Sequence, residues 1–108
     1  MRLIDSHCHL DVAEFAADLP ETLERGRNNG VAAFVVPAID FASWPGLQAI
    51  AMRYPEIKPA FGLHPLFLAK YRPAHLDALP DWLQKPECVA VGECGLDFFV
   101  PGLDAAMQ

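Results

Sequence analysis

Four short hydrophobic runs, separated by amphipathic stretches, dominate the pattern of apolar and polar positions along the chain. They begin at Leu3, Val31, Ile57 and Val89 and cover residues 2–5, 31–36, 57–63 and 89–91. The runs are rich in β-branched or aromatic residues and lack strict alternation, which is typical of strands buried in a parallel sheet. Their starts lie 28, 26 and 32 positions apart, the repeat length of a βα unit. The pattern therefore predicts an α/β fold with about four such units.

The stretches between the runs predict three helices. The first covers residues 19–29 and is weakened by Gly26, and the second begins at a Ser43 cap. The apolar stripes consist of Leu47, Ile50, Ala51 and Tyr54 in the second helix and of Leu76, Leu79 and Leu83 in the third. Pro80 is expected to kink the third helix or to split it into two short ones.

Two architectures accept four βα units: a small open doubly wound sheet, or the first half of an eight-unit barrel. An open sheet that binds a nucleotide would need a glycine-rich loop after its first strand, but residues 10–13 read Leu-Asp-Val-Ala there. Residues 103–108 predict the first turns of another helix without a stop signal, so the sequence is expected to continue.

Composition limits the classes of protein that remain. A chain of 108 residues suffices for one compact core. Eight basic and fourteen acidic residues give a net charge of −6, the wrong sign for binding nucleic acid through a broad basic surface. No apolar signal core or membrane-length stretch is present, and three cysteines, at 8, 88 and 94, have no zinc-ribbon spacing. We expect a soluble cytoplasmic protein with reduced thiols and no membrane partner.

Two histidines directly follow the first predicted strand, in the segment Asp5-Ser6-His7-Cys8-His9. Because side chains alternate in an extended chain, His7 and His9 are expected to share one side and Cys8 the other. Two imidazoles on one side can chelate a divalent ion, although such a triplet is also common by chance. Cys8 is interpreted as a small packing residue.

Two further polar residues end later strands, namely His64 after the third and Glu93 after the fourth. A hydrogen-bonded structural histidine and a lysine or arginine partner for Glu93 are the alternatives to a site. Carboxyl ends of parallel strands meet at one edge, where α/β barrels carry their active sites. One shared metal site therefore explains His7, His9, His64 and Glu93 together.

The remaining candidate polar residues are given structural roles. Asp40 and Asp97 are expected to cap the segments that follow them, and His75 is expected to be exposed in a polar turn. Cys94 is expected to pack on the face opposite Glu93.

Three sequence motifs carry a family resemblance. They cover residues 3–11 (Leu-Ile-Asp-Ser-His-Cys-His-Leu-Asp), 62–65 (Gly-Leu-His-Pro) and 91–98 (Val-Gly-Glu-Cys-Gly-Leu-Asp-Phe). In this order and spacing the chain resembles the N-terminal two fifths of the TatD family of metal-dependent deoxyribonucleases. The resemblance implies a TIM-type (β/α)8 barrel, of which residues 1–108 would form about four βα units, a partial hydrolase domain truncated after the fourth strand.

The resemblance also implies functional roles at the matched positions. His7 and His9 would bind a divalent ion, Glu93 would be the catalytic carboxylate that bridges two ions, and His64 would contact substrate phosphate. The complete enzyme would use two divalent ions (Mg, Mn or Zn) to hydrolyse phosphodiesters, with DNA as its substrate. The family's ligands after strands 5, 6 and 8 have no counterpart here, so this chain is expected to hold at most one ion.

Two alternatives to an active enzyme stay open at this point. The chain would be an inactive or structural fragment of such a hydrolase if its histidines held only a structural ion, or none. A half-barrel also leaves its first and fourth strands unpaired, so the chain is expected to self-associate to cover those edges.

Overall fold

A computed structural model describes all residues, Met1–Gln108, and shows one four-stranded parallel sheet. Its strands are β1 (Leu3–Asp5), β2 (Val31–Pro37), β3 (Ile57–Phe61) and β4 (Ala90–Val91), in the spatial order β1-β2-β3-β4. The predicted parallel α/β fold is confirmed, and three strands begin at the predicted residue. The third strand ends two residues earlier than predicted, at Phe61.

Three helices connect the strands and pack on the central strands β2 and β3. They are α1 (Leu19–Asn28), α2 (Trp44–Arg53) and α3 (Pro73–Leu83). Short 3-10 helices, which the hydrophobic pattern did not indicate, cover Ala13–Phe15, Phe41–Ser43 and Pro65–Lys70. The last two follow β2 and β3 directly, so they shape the edge at which the predicted site residues lie. None of the helices is long and apolar enough to span a membrane.

The core lies between the helices and one face of the sheet. Phe34 and Val36 of β2 point into it, as alternation along a strand requires. Trp44 is fully buried at its centre, and its indole N–H donates a hydrogen bond of 3.0 Å to the carbonyl of Gly62. The rings of Phe61 and Trp82 pack beside Trp44, with centroids at 5.9 and 5.6 Å from it. This aromatic core fixes the position of the loop after β3.

Two of the helix predictions are corrected by the structure. α3 continues through Pro80 as one helix, so the predicted split into two short helices is wrong. Pro80 removes the donor for the carbonyl of Leu76, which is an exposed residue. Leu76 therefore lies outside the packed stripe, and Trp82 joins Leu79 and Leu83 against the core. Gly26 does more than weaken α1: a Cβ there would lie 2.4 Å from the ring of Phe34, so glycine permits the helix to approach β2.

The capping predictions are partly corrected. The side chain of Ser43 does not cap α2, and its hydroxyl donates instead to the carbonyl of Asp40. The Asp40 carboxylate caps the preceding 3-10 helix by accepting from the N–H of Ser43 at 3.0 Å. Residues 103–108 form turns and no helix. The side chain of Gln108 makes two hydrogen bonds with the backbone of Asp97. Its Oε1 accepts from the Asp97 N–H, and its Nε2 donates to the Asp97 carbonyl.

The two edge strands are the exposed part of the sheet. β1 and β4 each pair on one side only, with β2 and β3 respectively. Ile4 on β1 and Val91 on β4 are more than half exposed, as are Phe98 and Phe99 in the segment after β4. The apolar surface therefore extends along both edges of the sheet.

Candidate metal centre

The segment after β1 continues the strand ladder and so orients two histidines. The N–H of Cys8 donates to the carbonyl of Val35 at 3.1 Å, three residues beyond the end of β1. His7 and His9 consequently project to one side, with ring centroids 5.1 Å apart, while Cys8 packs against the core. The predicted alternation across residues 7–9 is confirmed.

Backbone contacts between strand ends position Glu93. Its N–H donates to the carbonyl of Ala38 at 2.9 Å, and the N–H of Gly92 donates to the carbonyl of Phe61 at 3.0 Å. A Cβ on Gly62 would lie 2.7 Å from backbone atoms of Gly92 and Glu93. Gly62 is therefore a glycine because the end of β4 approaches it closely, and this approach brings Glu93 toward the histidines.

Four side chains from three strand ends meet at this edge and form what we call the histidine–glutamate cluster: His7, His9, His64 and Glu93. The Nε2 atoms of His7 and His9 lie 3.4 and 3.5 Å from Oε2 of Glu93, and Nε2 of His64 lies 3.1 Å from Oε1. The alternative that a lysine or arginine pairs with Glu93 is wrong, because neither residue type lies within ion-pair distance of its carboxylate. The sequence-predicted site residues are thus all brought together.

Three members of the cluster have the geometry of a cation site. One ligand atom from each of His7, His9 and Glu93 lies within 4.8 Å of the other two. Two imidazole nitrogens and one carboxylate oxygen are a donor set that divalent zinc or manganese accepts. The residues present therefore fit a divalent ion.

His64 differs from His7 and His9 in its hydrogen bonds. It is the N-cap of the 3-10 helix Pro65–Lys70, and its Nδ1 accepts from the N–H of Leu66 at 3.1 Å. Because Nδ1 accepts, the ring proton of neutral His64 is on Nε2, which lies 3.1 Å from Oε1 of Glu93. An Nε2 that carries a proton has no lone pair for a metal, so His64 is separated in role from the three candidate ligands.

Asp11 is an acidic residue beside His9 that was not selected from the sequence. One carboxylate oxygen of Asp11 and Nδ1 of His9 are both buried without a hydrogen-bond partner. Burial raises the pKa of Asp11, while its own backbone N–H and His9 lower it in part. The spacing of His7, His9 and Asp11 by two residues was the available signal, because it repeats the alternation of an extended segment.

The two cysteines near the site have different environments. Burial, together with neighbouring Asp5, raises the pKa of the Cys8 thiol to about 12, so Cys8 stays a protonated thiol at neutral pH. Its packing role agrees with the prediction. The packing role predicted for Cys94 is wrong: this residue is exposed, because the chain leaves the sheet at Val91 and no element covers the side chain.

The remaining predicted residues have local roles. Asp97 accepts from the N–H groups of Phe99 and Val100 at 2.8 and 3.0 Å, which confirms it as a cap, although a turn follows and no helix does. His75 is not simply exposed. It is half-buried in the first turn of α3, and its ring stacks on that of Phe41 at 4.3 Å.

Comparison with known proteins identifies relatives of this chain. The family model described as "TatD related DNase" matches residues 4–107. The chain is 38% identical over 100 residues to an Escherichia coli K12 protein named as an uncharacterized metal-dependent hydrolase, YjjV, with 91% of this chain and 39% of that protein covered. It is 31% identical over 96 residues to the 3'-5' ssDNA/RNA exonuclease TatD of Salmonella typhimurium, covering 89% and 37%.

The structural comparison agrees with the sequence comparisons. The crystal structure of YjjV, a TatD homologue from Escherichia coli, superimposes with a TM-score of 0.86 at 37% identity over 93% of this chain and 39% of that one. The chain thus spans about two fifths of the length of the relatives it matches, and its four parallel strands form the corresponding half of a barrel. From its motifs, its fold and these matches, the chain belongs to the TatD-related DNase family of metal-dependent hydrolases.

Proposed function

We propose that this chain contributes the first part of a metal-dependent hydrolase active site that cleaves phosphodiester bonds of nucleic acid. The observation that carries the proposal is the convergence of His7, His9 and Glu93 ligand atoms within 4.8 Å at one strand edge. A carboxylate facing imidazoles, with no lysine or arginine beside it, is favourable when a cation lies between them. The name of the Salmonella relative, a single-stranded DNA and RNA exonuclease, supports nucleic acid as the substrate class.

Each residue of the cluster has a distinct proposed role. His7 and His9 hold the ion through Nε2, and Glu93 is the catalytic carboxylate that supplies an oxygen ligand. A bound divalent ion supplies Lewis acidity and positive charge for a phosphate oxygen and activates water. His64 donates its Nε2 proton to Glu93, or to a substrate phosphate that takes the place of this contact. The local positive charge makes binding of an anionic substrate compatible with a net charge of −6.

The number of ions follows from the number of ligands. His7, His9 and Glu93 would give one ion three protein ligands, whereas a second ion would have only Glu93 within this chain. We therefore propose at most one tightly held ion per chain, zinc, manganese or magnesium, and two in a complete enzyme. Residues 1–108 are proposed to be one part of a single hydrolase domain.

Metal analysis tests the proposed site directly. After the chain is loaded with Zn²⁺ or Mn²⁺ and dialysed, mass spectrometry is expected to find one ion per chain, and no more, in the wild type. A variant with His7→Ala and His9→Ala is expected to retain none. Two tightly held ions, or none in the wild type, would contradict the proposal.

A cleavage assay tests the proposed reaction. A full-length protein that contains this segment is expected to degrade single-stranded DNA, and a chelator is expected to abolish the activity. Glu93→Gln should remove turnover, whereas the matched control Glu24→Gln, on the exposed side of α1, should retain it. Cleavage that is indifferent to chelator would contradict a metal mechanism.

A structural, inactive role is the second candidate, favoured by the incomplete set of three ligands. The 108-residue chain is expected to show nuclease turnover no higher than background, so activity of the chain alone would exclude this role. Self-association through the exposed edges of β1 and β4 stays a prediction, and light scattering after size-exclusion chromatography would detect it. The cytoplasmic location stays a prediction as well.

A further inference from the structure

A cavity of about 120 Å³ lies beside the histidine–glutamate cluster, with His64 of the cluster in its wall. The segments that follow β2 and β3 form its walls, between residues 39–42 and 63–75. We call it the aromatic cavity; the side chains that matter to its chemistry are Phe41, His64, Phe67, Lys70, Tyr71 and His75.

The rings around the aromatic cavity are arranged as flat, half-exposed walls. Phe41 stacks on His75 with an interplanar angle of 5°, and Tyr71 meets the edge of His75. Phe67 stands at 74° to the ring of His64. All five rings are partly exposed, whereas Trp44 and Phe61 of the core are fully buried. The cavity walls are thus aromatic surface in contact with solvent.

The only cation in the cavity wall is already neutralised. Nζ of Lys70 lies 3.0 Å from Oδ2 of Asp40, which also lines the cavity. The wall therefore offers apolar rings and a paired charge. This chemistry suits a flat, uncharged, aromatic ligand better than a free phosphate, which would need an unpaired cation.

His64 joins the cavity to the cluster. Its Nε2 faces Glu93 at 3.1 Å, and its ring edge contacts Phe67 in the cavity wall. A phosphodiester held at the cluster therefore has its attached nucleoside within reach of the cavity, on the other side of a single imidazole ring.

We propose that the aromatic cavity binds one unstacked nucleobase of a single-stranded nucleic acid whose phosphodiester lies at the histidine–glutamate cluster. The inference rests on the proposed function and deepens it by assigning a base subsite. Stacking on aromatic side chains is the usual way in which proteins hold single-stranded bases without a broad basic surface. A base inside a duplex cannot enter, so the subsite selects single strands or frayed ends.

Binding of two trinucleotides to the chain, loaded with Mn²⁺, tests the subsite. One probe is the thymidine trinucleotide and the other is the same backbone with all three bases removed, so that the phosphate charge is equal. Calorimetry is expected to give an affinity about five- to 150-fold higher for the probe with bases. Equal affinities, or no binding of the thymidine trinucleotide, would overturn the proposal.

A variant of the cavity wall separates stacking from general apolar contact. Phe67→Leu keeps apolar volume but removes the ring, and it is expected to reduce the preference for the base-containing probe about tenfold. The matched control is Phe99→Leu, because Phe99 is 94% exposed and lies outside the cavity. An unchanged preference in a folded Phe67→Leu chain would overturn the stacking role.

If Phe67→Leu does not fold, nuclear magnetic resonance of the wild-type chain tests the base subsite instead. The ring signals of Phe41, Phe67 and His75 are expected to shift when the thymidine trinucleotide is added, and to stay unchanged with the probe without bases. Shifts confined to other residues would overturn the proposal. Failure of the proposed function has a different signature: preference for the base-containing probe would persist, while a full-length protein would show no chelator-sensitive cleavage.

Discussion

Two carboxylates at the same edge of the sheet, Asp40 after β2 and Glu93 after β4, are surrounded by different partners. Asp40 accepts hydrogen bonds from the N–H of Ser43 and from Lys70, both at 3.0 Å. Glu93 has three imidazoles around it and no permanent cation. The fold satisfies the first carboxylate with its own groups, whereas the second has space and donors for an ion from solution.

The partners of the two carboxylates distinguish one that stabilises the fold, Asp40, from one that is available to a ligand, Glu93. Burial of Asp40 would raise its pKa, but the hydrogen bonds from Lys70 and Ser43 outweigh burial and lower it. Asp40 is therefore stabilised as an anion by the folded chain alone. In contrast, His9 of the histidine–glutamate cluster and Asp11, two residues further along the chain, each keep a buried polar atom without a partner. Unsatisfied buried atoms beside a carboxylate indicate a site completed by a ligand.

Replacing Glu93 should produce the largest effect in this comparison. Glu93→Gln removes the one oxygen ligand, and we expect affinity for Zn²⁺ to fall by more than about 100-fold, since even partners of ligands contribute 10- to 100-fold. The measurement is a competition titration against a zinc indicator. Asp40→Asn is the matched control and should leave affinity within about twofold. Equal losses in both variants would remove the distinction between the two carboxylates.

The close approach that delivers Glu93 should be the next most sensitive feature. Gly62→Ala places a Cβ 2.7 Å from the backbone of Gly92 and Glu93, and we expect the free energy of unfolding to fall by about 1–3 kcal/mol. Denaturant titration measures it. In contrast, Gly46→Ala in α2 meets no atom within 4 Å and should change stability by about 1 kcal/mol or less, in the stabilising direction. Similar losses of stability in the two variants would contradict a close approach of the Gly92 and Glu93 backbone to Gly62.

A smaller effect is expected at Asp11, which we predict to orient His9. Nδ1 of His9 and one carboxylate oxygen of Asp11 are both buried without a hydrogen-bond partner. If His9 held an ion through Nε2, its Nδ1 would carry a proton, and we expect the Asp11 carboxylate to accept it. Asp11→Asn should weaken Zn²⁺ affinity about tenfold, without lowering the stability of the metal-free chain. Asp81→Asn, on the exposed side of α3, is the control. A loss of stability with unchanged affinity would assign Asp11 a purely structural role.

The smallest expected effect is the acid sensitivity contributed by Asp40. Because the pKa of Asp40 is lower in the folded chain than its ordinary value of 3.8, its ionised form stabilises the fold. That contribution is fully present above the ordinary value and is lost as the pH falls through the lowered one. Thermal unfolding should therefore show that wild type loses more stability than Asp40→Asn as the pH decreases through and below 3.8. Parallel pH profiles would contradict the role of the Lys70 pair.

The positions of the strands, their parallel direction and the four residues of the histidine–glutamate cluster could be predicted from the sequence. Buried apolar runs recur at the βα repeat, and alternation of side chains places His7 and His9 on one side because only adjacent residues are involved. The motifs around His64 and Glu93 fall at strand ends that any parallel sheet brings to one edge. These features depend on local geometry, which neighbouring residues fix.

The hydrogen-bond, ion-pair and stacking partners of these side chains became known only from the three-dimensional structure. The proton position on His64 follows from the N–H of Leu66 in a 3-10 helix that hydrophobic periodicity does not reveal. The pairing of Asp40 with Lys70 joins residues 30 positions apart, and the stacking of His75 on Phe41 joins α3 to the 3-10 helix after β2. Gly26 and Gly62 are required by ring and backbone atoms of other strands. Contacts between distant residues depend on how the elements pack in three dimensions, and that packing is not encoded in any short stretch of the chain.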